Sequence, residues 1–387
     1  MSLGASQPPH DPAWKPEAYD AAPEAVVADY GGAWIGGVLP ALLAGRAPRG
    51  LPEWVASATP LVVLLIDGLG WRMYRRFAGL LPSLAGFDGA PITSVVPSTT
   101  AAALPSFTTG TTPAEHGMLG DRIRVGGTML NVLQWTVPDG IPPEPAAVQP
   151  HPPFAGHMVP VVSNAKFEDS GFSRAHMRGA PFFGYDGATQ LVAQVDAALR
   201  RGARLVFAYL PDADRTAHEH GLEHAAFAAA LTMADGVVRG IRRNLPRAGA
   251  LLITADHGHV TVDPAQRVDL SPLTPLLSAM SGSARLRYLH ARAGAVRELL
   301  PAARELVGAR AWVLDRNELV ASGWLGPRPS PVVAGRLGDV ILAARGQATM
   351  VDPAEGRLNS LVTVHGSLTA DEMLVPLLAA RGEAGPG

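Results

Sequence analysis

The sequence predicts an α/β fold in which a doubly wound, mostly parallel sheet is sandwiched by helices. Its first support is a set of apolar runs typical of strands buried on both faces of a parallel sheet: Leu61–Ile66, Ala203–Leu210 and Ala250–Ile253. Its second support is the helical periodicity of Ala188–Arg201 and Phe227–Asn244, which alternate with these runs.

The composition is that of a globular protein and excludes several kinds of site. Of 387 residues, 47% are hydrophobic, and the net charge of −2 gives no basic field for nucleic acid polymers or acidic membranes. Because there is no cysteine, disulfides, thiolate catalysis and Cys-type zinc sites are excluded. Residues 1–17 lack the regions of a signal peptide, and no apolar stretch approaches the ~20 residues of a membrane span. We therefore expect a soluble, cytoplasmic protein.

The segments around the first apolar run predict its flanking elements. Residues 1–22 are polar and rich in proline, which predicts an arm over the surface. Ala25–Leu43 predicts a first helix, and Trp71–Leu84 predicts the crossover helix that follows the run. Ile92–Val96 predicts the next short strand.

The middle of the chain has shorter elements. Asp121–Val137 predicts strands joined by Gly126-Gly127. The repeated prolines of residues 138–153 predict an irregular loop, and Val159–Val162 predicts another short strand.

The character of the chain changes at residue 263. Residues 263–350 predict a small α+β insertion, and none of its strands ends in candidate ligands. The core therefore comprises residues 1–262 and 351–387, with a strand predicted at Asn359–Val364 and a last helix at Ala370–Leu378. We expect the insertion to shape the substrate entrance as a cap without supplying metal ligands.

Two adjacent threonines, Thr99 and Thr100, stand directly before a segment of strong helix propensity, Ala101–Leu104. A hydroxyl at a helix N-terminus lies beside free backbone N–H groups and the positive end of the helix dipole, which suits an anionic ligand. For an isolated threonine, helix capping is the simpler interpretation. A metal that lowers the pKa of the hydroxyl would make it a nucleophile.

Other segments end an apolar run with Asp or His, which are ligands of divalent metals. These residues are Asp67, Asp214 with His218 one helical turn later, Asp256 with His257, and His365. Acids that follow central strands lie at the carboxyl edge of the sheet, where α/β folds bind their ligands. Since the set supplies the three or four ligands that each of two metals needs, it predicts a two-metal site.

The remaining histidines have lower priority as ligands. His220, His224 and His259 lie beside the set and are weaker candidates that would support the ligands from outside. His116, in a turn-rich segment, is predicted to have a structural role.

In combination, these motifs resemble the alkaline phosphatase superfamily, and within it the type I phosphodiesterase/nucleotide pyrophosphatase branch. The resemblance covers residues 61–262 and 359–378 and implies an alkaline phosphatase-like fold with two zinc ions. It implies one zinc held by Asp67, Thr100, Asp256 and His257, a second held by Asp214, His218 and His365, and Thr100 as the nucleophile. Two positions depart from the branch: Ala103 stands where eukaryotic members usually have Asn, and Ala217 stands where Gly is usual.

The resemblance further implies hydrolysis of phosphodiester or nucleotide pyrophosphate bonds in a small-molecule substrate, through a covalent phospho-threonine. A phosphomonoesterase or a phosphonate hydrolase would use the same ligands, so both stay alternatives, and a non-catalytic metal-binding scaffold is a third. A sulfatase is disfavoured because neither Pro nor Arg follows Thr100 in the expected pattern.

Overall fold

The structure is a computed structural model that describes residues 24–384. Its strands are β1 Leu61–Ile66, β2 Asp88–Thr93, β3 Arg122–Val125, β4 Thr128–Asn131, β5 Val161–Asn164, β6 Phe182–Tyr185, β7 Leu205–Leu210, β8 Ala250–Thr254, β9 Val260–Thr261, β10 Arg267–Asp269, β11 Leu277–Gly282, β12 Leu286–Ala291, β13 Ala311–Asp315, β14 Val340–Ala344, β15 Thr349–Val351, β16 Thr363–Val364 and β17 Leu374–Arg381.

The α-helices within this range differ widely in length. They are α1 Val38–Leu43, α2 Trp71–Arg76, α3 Thr100–Thr109, α4 Pro113–His116, α5 Pro145–Val148, α6 Gly171–Met177, α7 Ala188–Arg200, α8 Asp212–His220, α9 Ala225–Asn244, α10 Val296–Val307, α11 Arg316–Ser322, α12 Pro331–Ala334 and α13 Ala370–Met373. No helix between residues 24 and 384 is long and apolar enough to cross a membrane.

The central sheet has the strand order β2-β17-β8-β1-β7-β5-β6. Neighbouring strands from β8 to β6 are parallel, whereas β17 runs antiparallel between β8 and β2. Every residue of β1 and β8 is buried, as the apolar runs predict for strands covered on both faces. Helices flank this sheet, so the predicted α/β fold with a mostly parallel sheet is confirmed.

Three helix predictions are wrong. The crossover helix predicted at Trp71–Leu84 is α-helical only over α2, and two 3₁₀ turns follow it at Ala78–Leu80 and Pro82–Leu84. In the segment predicted as a helix at Ala25–Leu43, only a 3₁₀ turn at Ile35–Gly37 and α1 are helical. Paired glycines precede α1, and glycine disfavours helix interiors through its large loss of backbone entropy. The predicted last helix, Ala370–Leu378, ends at Met373, because β17 begins at Leu374 and pairs with β2 and β8. Pairing on both sides outweighs the helix propensity of its leucines and alanines. The predicted arm at residues 1–22 lies outside the described residues.

A second, antiparallel sheet has the order β13-β14-β12-β11-β3-β4. Gly126 and Gly127, both with positive φ, join β3 and β4 as the sequence predicts. Strands β11 to β14 come from residues 263–350, whereas β3 and β4 precede that range and join β11 through the Gly282–Arg122 pair. The insertion therefore shares its sheet with residues 122–131, and its proposed boundaries stay a prediction.

Candidate active site

The predicted ligands meet at the carboxyl edge of the central sheet. Strands β8, β1 and β7 are adjacent and parallel, so their carboxyl ends lie side by side. Asp67 directly follows β1, and Asp256 lies two residues after β8. The chain leaves β7 into α8, whose first turns carry Asp214 and His218. His365 reaches the same place from the loop after β16.

Asp67, Asp256, His257 and Thr100 form the first group. Nε2 of His257 lies 3.0 Å from Oγ1 of Thr100, 3.5 Å from an oxygen of Asp67 and 3.4 Å from an oxygen of Asp256. Since Nδ1 of His257 donates to the carbonyl of Gly258, Nε2 is the accepting nitrogen and the Thr100 hydroxyl donates to it. The structure thus brings together all four residues that the resemblance assigns to one zinc.

The second group consists of Asp214, His218 and His365. Oδ1 of Asp214 lies 3.3 Å from Nε2 of His218 and 3.8 Å from Nε2 of His365. The two Nε2 atoms are 3.1 Å apart. The ring of His257 stacks on the ring of His365 with centroids 3.5 Å apart, so the two groups adjoin. All seven predicted site residues therefore converge.

His259 belongs to the same cluster, although its position in the sequence indicates only a supporting role. Its buried Nε2 lies 3.1 Å from Oδ1 of Asp214, and its Nδ1 lies 3.1 Å from the hydroxyl of Thr363. Two groups that share Asp214 have ligand atoms close enough to hold one ion. One group adds His218 and His259, and the other adds His257 and His365. By contrast, the exposed rings of His220 and His224 stack on each other.

The Asp67 and Asp256 carboxylates each have one oxygen that is hydrogen-bonded and one that is not. One oxygen of Asp67 accepts a hydrogen bond from the hydroxyl of Tyr209, and one oxygen of Asp256 accepts from the amides of Gly68 and His257. The remaining oxygens are buried without a hydrogen-bond partner among the described residues: Asp67 Oδ1, Asp256 Oδ2 and Asp214 Oδ1. Buried polar atoms without partners are rare, and here they point into one cluster. Cations would satisfy them.

In the imidazoles of His218 and His365, too, one atom is anchored by a hydrogen bond and another faces the cluster. Nδ1 of His218 donates to the carbonyl of Thr363 at 2.6 Å, and Nδ1 of His365 donates to the carbonyl of Ser98 at 2.9 Å. These bonds fix the tautomers, so both Nε2 atoms present lone pairs at a separation of 3.1 Å. Two facing lone pairs at this distance need a proton or a metal ion between them. Carbonyl-anchored histidines are also the usual arrangement of metal ligands.

Burial and crowding perturb the pKa values of this cluster. Burial, with the charges of Asp256 and Asp214, raises the pKa of Asp67 well above its ordinary range, and burial with the charge of Asp214 raises the pKa of Asp256 to about 6. Burial lowers the pKa of His257 to about 3. Burial also opposes the charge on His218, but the Asp214 carboxylate outweighs it and raises the pKa of His218 to about 9. Without metal, the site therefore stabilises positive charge next to Asp214.

Thr100 is the first residue of α3, and Thr99 is its N-cap, with extended backbone and no capping hydrogen bond from its side chain. The amides of Ala102 and Ala103 both donate to the carbonyl of Thr99. The amides of Thr100 and Ala101 have no hydrogen-bond partner among residues 24–384. The helix start therefore offers free N–H groups beside the Thr100 hydroxyl, where an anionic ligand would be favoured.

Two residues near the site were missed at the sequence level. Tyr209, in β7, holds Asp67 from a position that looks like one more apolar strand residue. Asp121 lies close enough to His218 and Asp214 to interact with their charges, and burial raises its pKa to about 7. It precedes a strand of the second sheet, so nothing local indicates the site. His116, as predicted, is structural: it is buried and bonded to Ser106.

Comparison with known proteins identifies relatives of this architecture. Over residues 61–368 the chain matches the family described as type I phosphodiesterase / nucleotide pyrophosphatase. It is similar to murine ectonucleotide pyrophosphatase / phosphodiesterase 5, with a TM-score of 0.65 and 14% identity over 84% of this chain and 88% of that chain. An inactive form of the murine protein in complex with AMP gives a TM-score of 0.64, with the same identity and coverage.

A phosphonate-cleaving enzyme has a similar fold. Phosphonoacetate hydrolase from Sinorhizobium meliloti 1021, in complex with phosphonoacetate, has a TM-score of 0.61 and 17% identity over 87% of this chain and 92% of that chain. At these identities the likeness shows a shared fold. No curated protein sequence matches the chain significantly.

Proposed function

This chain belongs to the type I phosphodiesterase/nucleotide pyrophosphatase family of hydrolases, and from that premise we propose that it cleaves phosphodiester or nucleotide pyrophosphate bonds with two divalent metal ions. The substrate is a small-molecule phosphate ester or nucleotide. A nucleic acid polymer and a membrane are not expected as partners, because the net charge of −2 provides no basic surface field. We further propose a cytoplasmic location.

The observation that carries this proposal is the pair of Nε2 atoms of His218 and His365, 3.1 Å apart, together with the unpaired buried oxygens of Asp214, Asp67 and Asp256 in the same cluster. The donor set is carboxylate, imidazole and hydroxyl without thiolate, which fits Zn²⁺. One ion would be held by Asp67, Thr100, Asp256 and His257, and the other by Asp214, His218 and His365. Nε2 of His259 lies beside the carboxylate of Asp214, which belongs to the second set.

When bound, the two ions would supply Lewis-acid stabilisation of phosphoryl oxygens and lower the pKa of a hydroxyl or a water. Thr100 is the nucleophile in this proposal. Its Oγ1 loses a proton to solvent and bonds to phosphorus while the bond from phosphorus to the leaving oxygen breaks. Water then attacks phosphorus, the bond to Oγ1 breaks, and Thr100 recovers its hydroxyl. The leaving oxygen takes a proton from solvent, so the products are a phosphomonoester and the alcohol or phosphate that departed with that oxygen.

Other parts of the site would bind and orient the substrate during these steps. The free amides of Thr100 and Ala101 and the positive end of the α3 dipole favour the charge on the phosphoryl oxygens. Ala103 is buried in the first turn of α3 and supplies no side-chain amide. Phosphoryl binding would therefore depend on backbone groups and metals more than in family members with Asn at that position.

A phosphonate hydrolase is the second candidate, because the phosphonoacetate hydrolase shares the fold at the coverage given above. A phosphomonoesterase would use the same ligands. A metal-binding scaffold without turnover is less favoured, because every ligand position carries a competent side chain.

The test combines metal analysis with parallel substrates. Purified, unchelated protein should contain about two zinc ions per chain. It should hydrolyse bis(p-nitrophenyl) phosphate or a nucleotide pyrophosphate faster than p-nitrophenyl phosphate or phosphonoacetate. Faster monoester turnover would assign a phosphatase, and activity on phosphonoacetate alone would assign a phosphonate hydrolase. A metal-free preparation with full activity would refute the two-metal site.

One pair of variants sharpens the metal assay. Asp214→Asn removes a predicted ligand from α8 and should reduce the metal content by one ion per chain. Asp212 lies on the same helix but bonds to Arg215 at the surface, so Asp212→Asn is the matched control and should keep both ions.

A further inference from the structure

A buried ion pair connects the second sheet to the loops that carry the metal ligands. Nε and Nη2 of Arg285 donate to the two carboxylate oxygens of Glu372 at 2.9 and 2.7 Å, and both side chains are fully buried. Arg285 directly precedes β12, in residues 263–350, whereas Glu372 is in α13 after the His365 loop. Two charged side chains that are buried away from solvent stay ionised only when they are paired and hydrogen-bonded.

Glu372 is bonded to both ligand loops. Its carboxylate accepts from the amide of Ser367, two residues after His365, at 3.0 Å. Its backbone carbonyl accepts from the amide of Gly258, directly after His257, at 2.9 Å. One residue therefore links the loop of the first ligand group to the loop of the second.

The loop around His365 is held from the second sheet as well. The hydroxyl of Ser367 donates to the carbonyl of Ala344 in β14, and the amide of Ala344 donates to the carbonyl of Arg285. A side chain at Gly366 would place its Cβ 3.5 Å from the Cβ of Arg285, so the two residues are neighbours. Arg285 is thus joined to the ligand loop through Glu372 by its side chain and through Ala344 by its backbone.

A capping role alone does not explain this arrangement. Glu372 forms a capping box with Thr369 at the start of α13, and such a glutamate needs no burial and no arginine. Here the arginine comes from another sheet, 87 residues away in sequence. Although burial raises the pKa of Glu372, Arg285 outweighs it and keeps that pKa below its usual range.

We propose that Arg285 and Glu372 are positioning residues that hold the His257 and His365 loops at the separation that two metal ions need. The inference rests on the proposed function, since it takes these histidines as ligands. It also gives residues 263–350 a role in the metal site although they contribute no ligand. Supporting residues around metal ligands commonly change metal affinity by about 10–100-fold when they are replaced.

The neighbouring ion pair of Arg287 and Glu355 is a matched control. The Arg287 side chain is also fully buried and bonds to Glu355 and to the carbonyl of Met350. It lies two residues from Arg285, so both pairs stabilise the same sheet. The described contacts of Arg287 include no residue of the His257 or His365 loop.

The experiment compares Arg285→Met, Arg285→Lys and the double variant Arg285→Met/Glu372→Gln with Arg287→Met and Arg287→Met/Glu355→Gln. The double variants leave no buried charge unpaired, so they test the role even where a single variant fails to fold. Metal affinity is measured by chelator competition with Zn²⁺, and ligand geometry by the visible spectrum of the Co²⁺-loaded protein. The wild-type protein is measured first.

We expect the Arg285 variants that fold to bind at least one ion about 10–100-fold more weakly, with a changed Co²⁺ spectrum. Arg285→Lys, which keeps one charged contact, should recover part of the affinity, and the Arg287 variants should bind like wild type. Two ions in wild type with unchanged affinity in the Arg285 double variant would refute this inference alone. Equal losses in both series would also refute it, by showing general destabilisation. A wild-type protein that binds no metal would refute the proposed function.

Discussion

Replacement of Thr100 by alanine separates nucleophilic catalysis from helix capping. Thr100→Ala removes Oγ1, which is hydrogen-bonded to Nε2 of His257 at 3.0 Å. Thr99, and not Thr100, is the N-cap of α3, so the substitution leaves the cap backbone intact. Turnover should therefore change far more than stability.

The stability cost follows from the contacts that are lost. A hydrogen bond contributes about 1 kcal/mol net and a buried methyl group about 0.8 kcal/mol, while the higher helix propensity of alanine offsets roughly 0.5 kcal/mol. The net loss is about 1 kcal/mol. With an unfolding entropy of about 2.1 cal/mol/K per residue over 387 residues, the midpoint falls by about 1 °C.

The rate cost should be much larger, because a nucleophile and its activators act as one unit. We expect a loss of roughly four orders of magnitude or more in kcat, which corresponds to about 5 kcal/mol. Thr100→Ser keeps the hydroxyl and should retain part of the activity. Thr99→Ala is the control: Oγ1 of Thr99 is buried without a partner among the described residues, so its removal breaks no hydrogen bond there.

The assay is steady-state hydrolysis of bis(p-nitrophenyl) phosphate, with melting temperature and metal content measured on the same samples. Acid quenching of wild type during turnover should also trap a p-nitrophenyl phosphoryl group on Thr100, visible as a mass increase. An active Thr100→Ala protein with both metals bound would refute the nucleophile assignment. A large fall in melting temperature with preserved kcat would show that Thr100 has a structural role only.

Three further outcomes are expected. Tyr209→Phe removes the donor to Asp67 and should weaken metal binding by about 10–100-fold. Tyr185→Phe loses only a bond to the carbonyl of Tyr209 and should leave metal binding unchanged. Chelator competition measures both variants, and equal affinities would contradict the role of Tyr209. The pKa of His218 is raised to about 9 in the metal-free protein, so metal binding must displace its proton below that pH. The affinity for metal should therefore rise with pH from about 6.5 to about 9 and then level off. Calorimetry in buffers of different ionisation enthalpy should detect the released proton. The same shift means that the ion pair with Asp214 stabilises the metal-free fold fully below the unfolded-state pKa and less as pH rises through 9. Gly258→Ala would place a Cβ 2.0 Å from the carbonyl oxygen of Asp371 and should lower both melting temperature and metal content, whereas Gly236→Ala, with no atom within 4 Å, should lower neither.

The sequence by itself determined the central strands of the sheet and the candidate ligands at its edge, because both depend on local patterns. A strand buried on both faces needs a continuous apolar run, and Asp67 follows such a run directly, while Asp256 lies two residues after the end of β8. Asp214 and His218 are one turn apart on α8, so their convergence follows from helix geometry. The convergence of these candidate ligands could therefore be predicted residue by residue.

Only the tertiary structure decided which distant residues support that set. Tyr209 reaches Asp67 across two strands that are 142 residues apart in sequence, and Arg285 reaches Glu372 from another sheet. Residues 374–381 have the composition of a helix but form a strand, because open edges of β2 and β8 are available on both sides. Periodicity and propensity describe neighbours along the chain, whereas hydrogen-bond partners across the sheet depend on strand order, which no local pattern encodes.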